Sequence, residues 1–301
     1  MKNKTCIVIV GPTAVGKTSL AIQLATSLGT EILSADSRQC YRELNIGVAK
    51  PSPQQLQQVK HYFINSHSIR DEVNAASFEQ YAVASLDLIF MRFDVAVMVG
   101  GTGLYIDAVC KGMDDIPAIP PATRSFIMDG YRLYGLGWLQ QQLLEHDPGY
   151  MENADIHNPQ RLMRSLEVKL STGRSIRSYH SGLGKARDFS IIKIGLELPR
   201  EELYRNVNER VDHMVGAGLV EEAAALLPER NLNALNTVGY KEVFQYLDGH
   251  ITREEAITAI KQNTRRYAKR QLTWFKNDQL TRWFIPADYL DVEHYIKEVV
   301  S

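Results

Sequence analysis

Gly11-Pro12-Thr13-Ala14-Val15-Gly16-Lys17-Thr18 is the stretch on which the fold turns. It fits the pattern G-x-x-x-x-G-K-S/T, and its neighbours are the ones that pattern requires. Before it, residues 6–10 (CIVIV) form a branched apolar run suited to a strand buried on both faces. After it, residues 17–28 place apolar side chains at helical spacing and stop at Gly29. A glycine-bearing turn between such a strand and helix aims several backbone N–H groups at one spot, and the helix start adds partial positive charge. Lys17 supplies a full charge, and Thr18 supplies a hydroxyl able to hold Mg²⁺. Residues 11–18 are therefore expected to cradle a diphosphate or polyphosphate, ATP included. The loop alone does not say which reaction follows.

Working outward, residues 31–35 read as a second strand, 78–90 as a helix, and 94–99 (DVAVMV) as a third buried strand ending in Gly100-Gly101-Thr102-Gly103. Strands alternating with helices predict an α/β fold, a P-loop NTPase-like parallel sheet with helices on both faces. From Lys111 to Arg187 the character is helical with no convincing strand. A proline-rich link (116–121) opens this stretch and a polar, glycine-bearing one (180–188) closes it. The expected organisation is a core of residues 1–110 and 189–301 interrupted by an α-helical insertion, 111–188. Residues 191–196 (IIKIGL) return to strand character. Helical segments follow at 201–215, 220–227, 241–247 and 253 to about 276, and 283–285 forms a last short strand.

The 301 residues are 45% hydrophobic and 23% charged, enough for a full core in one interrupted domain or two. Lys and Arg total 34 against 35 Asp and Glu, so any nucleic-acid surface must be a local patch. The three cysteines make no CxxC pair, which suits a reduced compartment better than a zinc site or disulfide framework. The short apolar start runs into the glycine motif with no cleavage site, and no run of about 18 apolar residues follows. A cytoplasmic protein, acting as a monomer, is expected.

Four features could carry chemistry beside the loop. Asp36, in Ser34-Ala35-Asp36-Ser37-Arg38-Gln39, follows the second strand, where open α/β sheets bind ligands. It could be a general base, support Mg²⁺, or simply cap a helix. Thr102 could bond a substrate or cap the next helix. The third strand lacks the terminal Asp with which many P-loop NTPases hold their metal, which weakens a case for ATP hydrolysis. On the last long helix, Lys261, Arg265 and Lys269 share a face, widened by Arg266 and Arg270 and interleaved with Tyr267, Trp274 and Phe275. Such a stripe suits an RNA backbone, or is a solvated face over core aromatics. In the insertion, Arg161 and Arg164 sit at the start of a helix after Pro159. His61, His157 and His213 have no metal-ligand spacing.

Taken together, the segments GPTAVGKT (11–18), SADSRQ (34–39), NIGVAKP (45–51), VGGTGLYI (99–106), NPQRLMRSLEV (158–168), VGYKE (238–242) and TRRYAKRQLTWF (264–275) resemble the tRNA dimethylallyltransferases, in that family's order and over nearly the whole chain. The resemblance implies transfer of the five-carbon group of dimethylallyl diphosphate to N6 of the adenosine just 3′ of a tRNA anticodon, with Mg²⁺ assisting and diphosphate leaving. By matching positions it implies Asp36 as the base and Thr102 as a partner near the amine. It makes Gly11, Pro12, Thr13, Ala14, Val15, Gly16, Lys17, Thr18 and Arg210 the diphosphate site, with Arg205 as the nearby alternative to Arg210. It implies tRNA contacts from Asp36, Ser37, Arg38, Gln39, Thr102, Arg124, Gln160, Arg161, Leu162, Met163 and Arg164. Arg265 and Lys269, from the basic stripe, join that expected tRNA surface. The sequence departs from the family at Asn65, where an acid is common, at Val48 and at Cys40. The missing C-terminal zinc module makes it look bacterial. The residues leave three rivals: a small-molecule kinase, an isopentenyltransferase acting on free nucleotide, and a GTPase-like RNA switch.

Overall fold

Six branched or apolar residues in a row have no wet face to offer, and β1 (Thr5–Val10) is buried along its whole length. The computed structural model describes residues 4–180, 182 and 184–300, so the closing link expected at 180–188 lies outside the described residues at 181 and 183. After β1 come α1 (Lys17–Ser27), β2 (Ile32–Ser34), α2 (Pro53–Gln58), β3 (His61–Tyr62), α3 (Ala75–Phe90), β4 (Val95–Val99) and α4 (Gly103–Lys111). The helical stretch contains α5 (Pro121–His146), α6 (Pro148–Met151) and α7 (Pro159–Thr172). The chain then returns through β5 (Ser190–Leu196), α8 (Arg200–Gly216), α9 (Leu219–Ala225), α10 (Tyr240–Leu247), α11 (Arg253–Lys276), β6 (Thr281–Phe284) and α12 (Tyr289–Val300).

Among the described residues the strands form one parallel sheet of six, ordered β3-β2-β4-β1-β5-β6. This is the α/β class that the strand–helix alternation predicts. Register is fixed by apolar pairs: Ile7 lies opposite Val97 on one side and Ile192 on the other. A core on this sheet joins Ile7, Ile9, Leu24, Ile32, Val97, Ile194 and Leu196 to Val292 and Ile296. The chain divides into two compact units, residues 1–111 with 186–301, and residues 112–185. The second unit has its own core, in which Ile127, Leu139, Leu143, Leu162 and Leu166 are fully buried. Its long helix α5 bends at Gly135, where φ is +71°.

Local chemistry sets the element ends. Asn74 accepts from the N–H groups of Ala76 and Ser77, so α3 starts three residues earlier than its apolar period suggests. Thr252 and Glu255 form a capping box that starts α11. Pro159 opens α7 behind the Asn158 cap, and Gly173 ends it with φ +72°. Three elements go beyond the sequence reading: the six-residue α2, the two-residue β3, and α12.

Candidate active site

In this strand order the carboxyl ends of β2, β4 and β1 lie side by side, and the backbone keeps pairing past the strands. Ala35 N–H donates to Val99 O at 2.7 Å, Gly100 N–H to Ile9 O at 3.2 Å, and Thr102 N–H to Ala35 O at 3.3 Å. The approach is so close that a Cβ at Gly100 would collide with Ala35 O. Three loops therefore meet: residues 11–18, the Asp36 turn and the Gly100–Thr102 turn. They enclose a cavity of about 340 Å³, whose walls also carry Gln39, Arg210, Tyr267 and Gln271. A second cavity of about 500 Å³ shares Thr13, Asp36, Val48, Ala49, Arg210 and Tyr267 with the first, and continues along Thr237, Gly239, Asn263 and Arg270.

The phosphate loop is tightly curled. Ala14 takes a left-handed φ of +64°, the kind of backbone held only where its surroundings over-determine it. Lys17 Nζ folds back to donate to Gly11 O at 2.9 Å and Pro12 O at 2.7 Å. Burial first, then the Arg210 guanidinium, bring the Lys17 ammonium down to about 7, while Asp36 pulls the other way. Arg210 reaches the loop from α8, its Nη1 donating to Thr13 Oγ1 at 3.2 Å. Burial lowers its proton affinity too. Arg205, the alternative on the same helix, is exposed and lines neither cavity. Two desolvated cations against one carboxylate leave the cavity short of negative charge, which an anion would supply. The sequence expectation for two loop residues needs correcting. Pro12 has no N–H, and its carbonyl accepts from Lys17, so it shapes the loop without donating to a phosphate. The Val15 side chain is packed in the sheet core, leaving only its amide for a ligand.

Asp36 serves its own turn and the cavity together. Its Oδ1 accepts from Arg38 N–H at 2.9 Å and Gln39 N–H at 3.2 Å, while Oδ2 has no hydrogen bond among the described residues. Thr102 ties the neighbouring turn to this one: its Oγ1 accepts from Ser37 N–H at 3.1 Å and donates to Ser37 Oγ at 3.3 Å. Desolvation, then Asp36, push the nearby Tyr267 phenol up to about 12, so it stays protonated. Gln39 Nε2 holds Val48 O and Ala49 O, each at 3.2 Å.

Several residues that build the site were not singled out from sequence. Glu222 accepts from three successive N–H groups, those of Asn45, Ile46 and Gly47, at 3.1, 2.9 and 3.0 Å. The buried Tyr240 hydroxyl donates to the same carboxylate at 2.6 Å. Gln271 is 6% exposed; its Oε1 accepts from Thr13 N–H and its Nε2 donates to Gly101 O, both at 2.8 Å. Lys50 donates to Asn65 Oδ1 at 2.6 Å, so an amide oxygen serves where the family more often has an acid. VGYKE and RQLTWF, quoted as motifs, were the signal available for Tyr240 and Gln271.

The expected RNA contacts divide. Leu162 is fully buried and Met163 nearly so, both in the core of the second unit, so their side chains cannot meet a ligand there. Arg124 and Arg164 both pair with the buried Glu167, while Arg161 and Gln160 are exposed. On α11 the 261/265 face turns to α8: Lys261 pairs with Asp212 and Arg265 Nη1 donates to Asn208 Oδ1 at 2.6 Å. Arg266, Lys269 and Arg270 are the exposed cations of this helix segment. Arg265 therefore fastens two helices rather than extending an open stripe.

Known proteins are similar to this chain in sequence and fold. The model of a family described as IPP transferase matches residues 39–278. A protein of Phocaeicola vulgatus named tRNA dimethylallyltransferase 1 is 46% identical over 295 residues, covering 98% of each chain. The crystal structure of a full-length tRNA isopentenylpyrophosphate transferase from Bacillus halodurans superposes with a TM-score of 0.72 at 34% identity, covering 99% of this chain and 97% of that one. A eukaryotic dimethylallyltransferase, described in structures of its action on tRNA, gives 0.72 at 25% identity, over 90% of this chain and 69% of that one.

Proposed function

We propose, from the premise that this chain belongs to the IPP transferase family, that it moves the dimethylallyl group of dimethylallyl diphosphate onto N6 of the adenosine 3′ of the anticodon in tRNA, releasing diphosphate. The observation that carries this reading is one cavity shared by the phosphate loop, Arg210 and the Asp36 carboxylate. The reaction needs a leaving diphosphate and a base for the incoming amine close together, and a shared cavity supports that pairing. No helix among the described residues is long and apolar enough to cross a membrane. The protein works as a cytoplasmic monomer on this reading.

An allylic carbon ionises partway before attack, because its cation is delocalised, so the barrier falls as the departing charge is better held. Loop amides, Lys17 and Arg210 hold it; a preorganised donor of this kind contributes about 2.7–4 kcal/mol. Lys17 exchanges its bonds to Gly11 O and Pro12 O for phosphate oxygens. Thr18 and Asp36 line the same cavity, but no group of three or more His, Cys, Asp or Glu that could hold a metal occurs among the described residues. That sparse set of hard oxygen donors fits Mg²⁺, which keeps most of its waters and leans on substrate phosphates. Thr18 would hold the ion through its hydroxyl, and the ion would supply positive charge against the leaving group.

N6 of adenine is a weak nucleophile and must lose a proton as the new C–N bond forms. Asp36, with Oδ1 fixed by two amides and Oδ2 unused, takes it. Thr102, held by Ser37, orients the amine. The adenosine leaves its stack at a cost of a few kcal/mol, modest in a single-stranded loop. In the first unit Ser37, Arg38, Gln39 and Lys269 contact the tRNA, and in the second unit Gln160, Arg161, Arg164 and Arg124 do so.

The test is incubation with labelled dimethylallyl diphosphate and either unmodified tRNA or AMP, followed by mass analysis of nucleosides. Label in the tRNA adenosine is the expected result. Label in AMP alone gives the reaction to the free-nucleotide class, and phosphate transfer without carbon transfer gives it to the kinases.

A further inference from the structure

We infer that Gln271 is a positioning residue of the transfer reaction: it locks the phosphate loop to the turn bearing Thr102, so that diphosphate and amine sites keep a fixed separation. This rests on the preceding functional reading for its kinetic part only.

Gln271 sits in α11, far in sequence from both loops, and is 6% exposed. Each end of its amide has one task. Oε1 accepts from Thr13 N–H at 2.8 Å, and Nε2 donates to Gly101 O at 2.8 Å. A side chain with one acceptor and one donor, three bonds from its Cα, is what this span requires; Glu, Met and Leu each lack at least one end. Both partners stand next to working groups. Thr13 also receives Arg210, and Gly101 precedes Thr102.

Gly101 is itself explained by this lock, since a Cβ there would collide with Gln271 Nε2. The bond also uses up the Thr13 amide, which is then no ligand of the diphosphate. Gln271 thus acts on the shape of the cradle rather than on the substrate.

Positions 271 and 101 can be tested separately and together. Gln271→Ala removes the lock, and Gly101→Ala displaces it without touching the glutamine. Each is expected to weaken binding of inorganic diphosphate, measured by calorimetry, about tenfold. Each is also expected to lower kcat about 10- to 100-fold, the scale of a 1 Å misplacement, with KM for tRNA within about threefold of the parent. The double variant is expected to be no worse than the weaker single one, because both break the same lock. Diphosphate affinity within about threefold of the parent in either single variant, or losses that multiply in the double, overturn the inference. If Gln271→Ala fails to fold, Gly101→Ala still decides it. Absence of transfer by the parent enzyme would remove the functional reading, while the diphosphate titrations would still judge the lock.

Discussion

Filling the phosphate loop should draw a proton from solution. Without ligand, burial and Arg210 bring the Lys17 ammonium to about 7, against an ordinary value of 10.5. At about pH 8 the empty site then holds Lys17 roughly nine-tenths neutral, and at about pH 6 roughly one-tenth neutral. A diphosphate beside it restores the charged form, so binding takes up about 0.9 proton at pH 8 and about 0.1 at pH 6. With dimethylallyl diphosphate as ligand, a phosphate ester that loses its last proton near pH 6, little uptake at pH 8 comes from the ligand itself. Calorimetry in two buffers of different ionisation heat reads this number as a slope. Lys17→Arg, always protonated, should bind without uptake. The sign for stability follows. The folded, empty protein binds fewer protons than the unfolded chain between about pH 7 and pH 10, so its stability should rise with pH across that window and flatten when diphosphate is bound. Uptake below about 0.2 proton at pH 8, or equal uptake in the Arg variant, refutes the reasoning.

Four further outcomes are expected. Asp36→Asn keeps the Oδ1 acceptor of its turn and should lower kcat about 10²–10⁴-fold with tRNA affinity unchanged; a normal kcat removes Asp36 from the chemistry. Replacing Arg266, Lys269 and Arg270 by Ala should flatten the salt dependence of tRNA binding by roughly 0.7 for each phosphate no longer neutralised, whereas Lys261→Ala with Arg265→Ala should mainly lower thermal stability; a reversed pattern returns the stripe to the 261/265 face. Glu222→Gln takes the charge from three amides and should cost about 1–3 kcal/mol by denaturant unfolding, with an unchanged midpoint counting against the cradle. Leu162→Ala should cost about 2–5 kcal/mol as a core cavity, and a negligible loss would mean that this side chain is not packed as described.

Much of the frame was legible because its signals are local. A branched run before a glycine turn fixes β1 and the loop, and alternation fixes the parallel sheet. Capping chemistry fixes α3, α7 and α11 to within a few residues. The elements that escaped have weak local signals. β3 is two residues long, α2 six, and α12 has only a short amphipathic run near the chain end. In the site, charge and motif pointed to Lys17, Asp36 and Arg210, but periodicity misassigned Arg265. An i, i+4 pattern says that residues share a face, not what that face meets, and here it meets Asp212 and Asn208 on α8. Leu162 and Met163 show the converse error: a motif carries its core residues along with its contacts. Glu222 was invisible because its partners lie far along the chain, and the motif that contains Gln271 gave no hint of its role, because Thr13 and Gly101 are equally distant in sequence.

The turn at residues 45–47 wraps three consecutive N–H groups around a carboxylate that belongs to the chain itself. It is a small anion nest with a permanent tenant, set in the same molecule as one whose tenant comes and goes. The wall it braces, Gly47 to Ala49, therefore needs no substrate to acquire its shape. On the proposed reading, the acceptor's side of the cavity is furnished beforehand, and the bonds that an arriving diphosphate would exchange are those of Lys17.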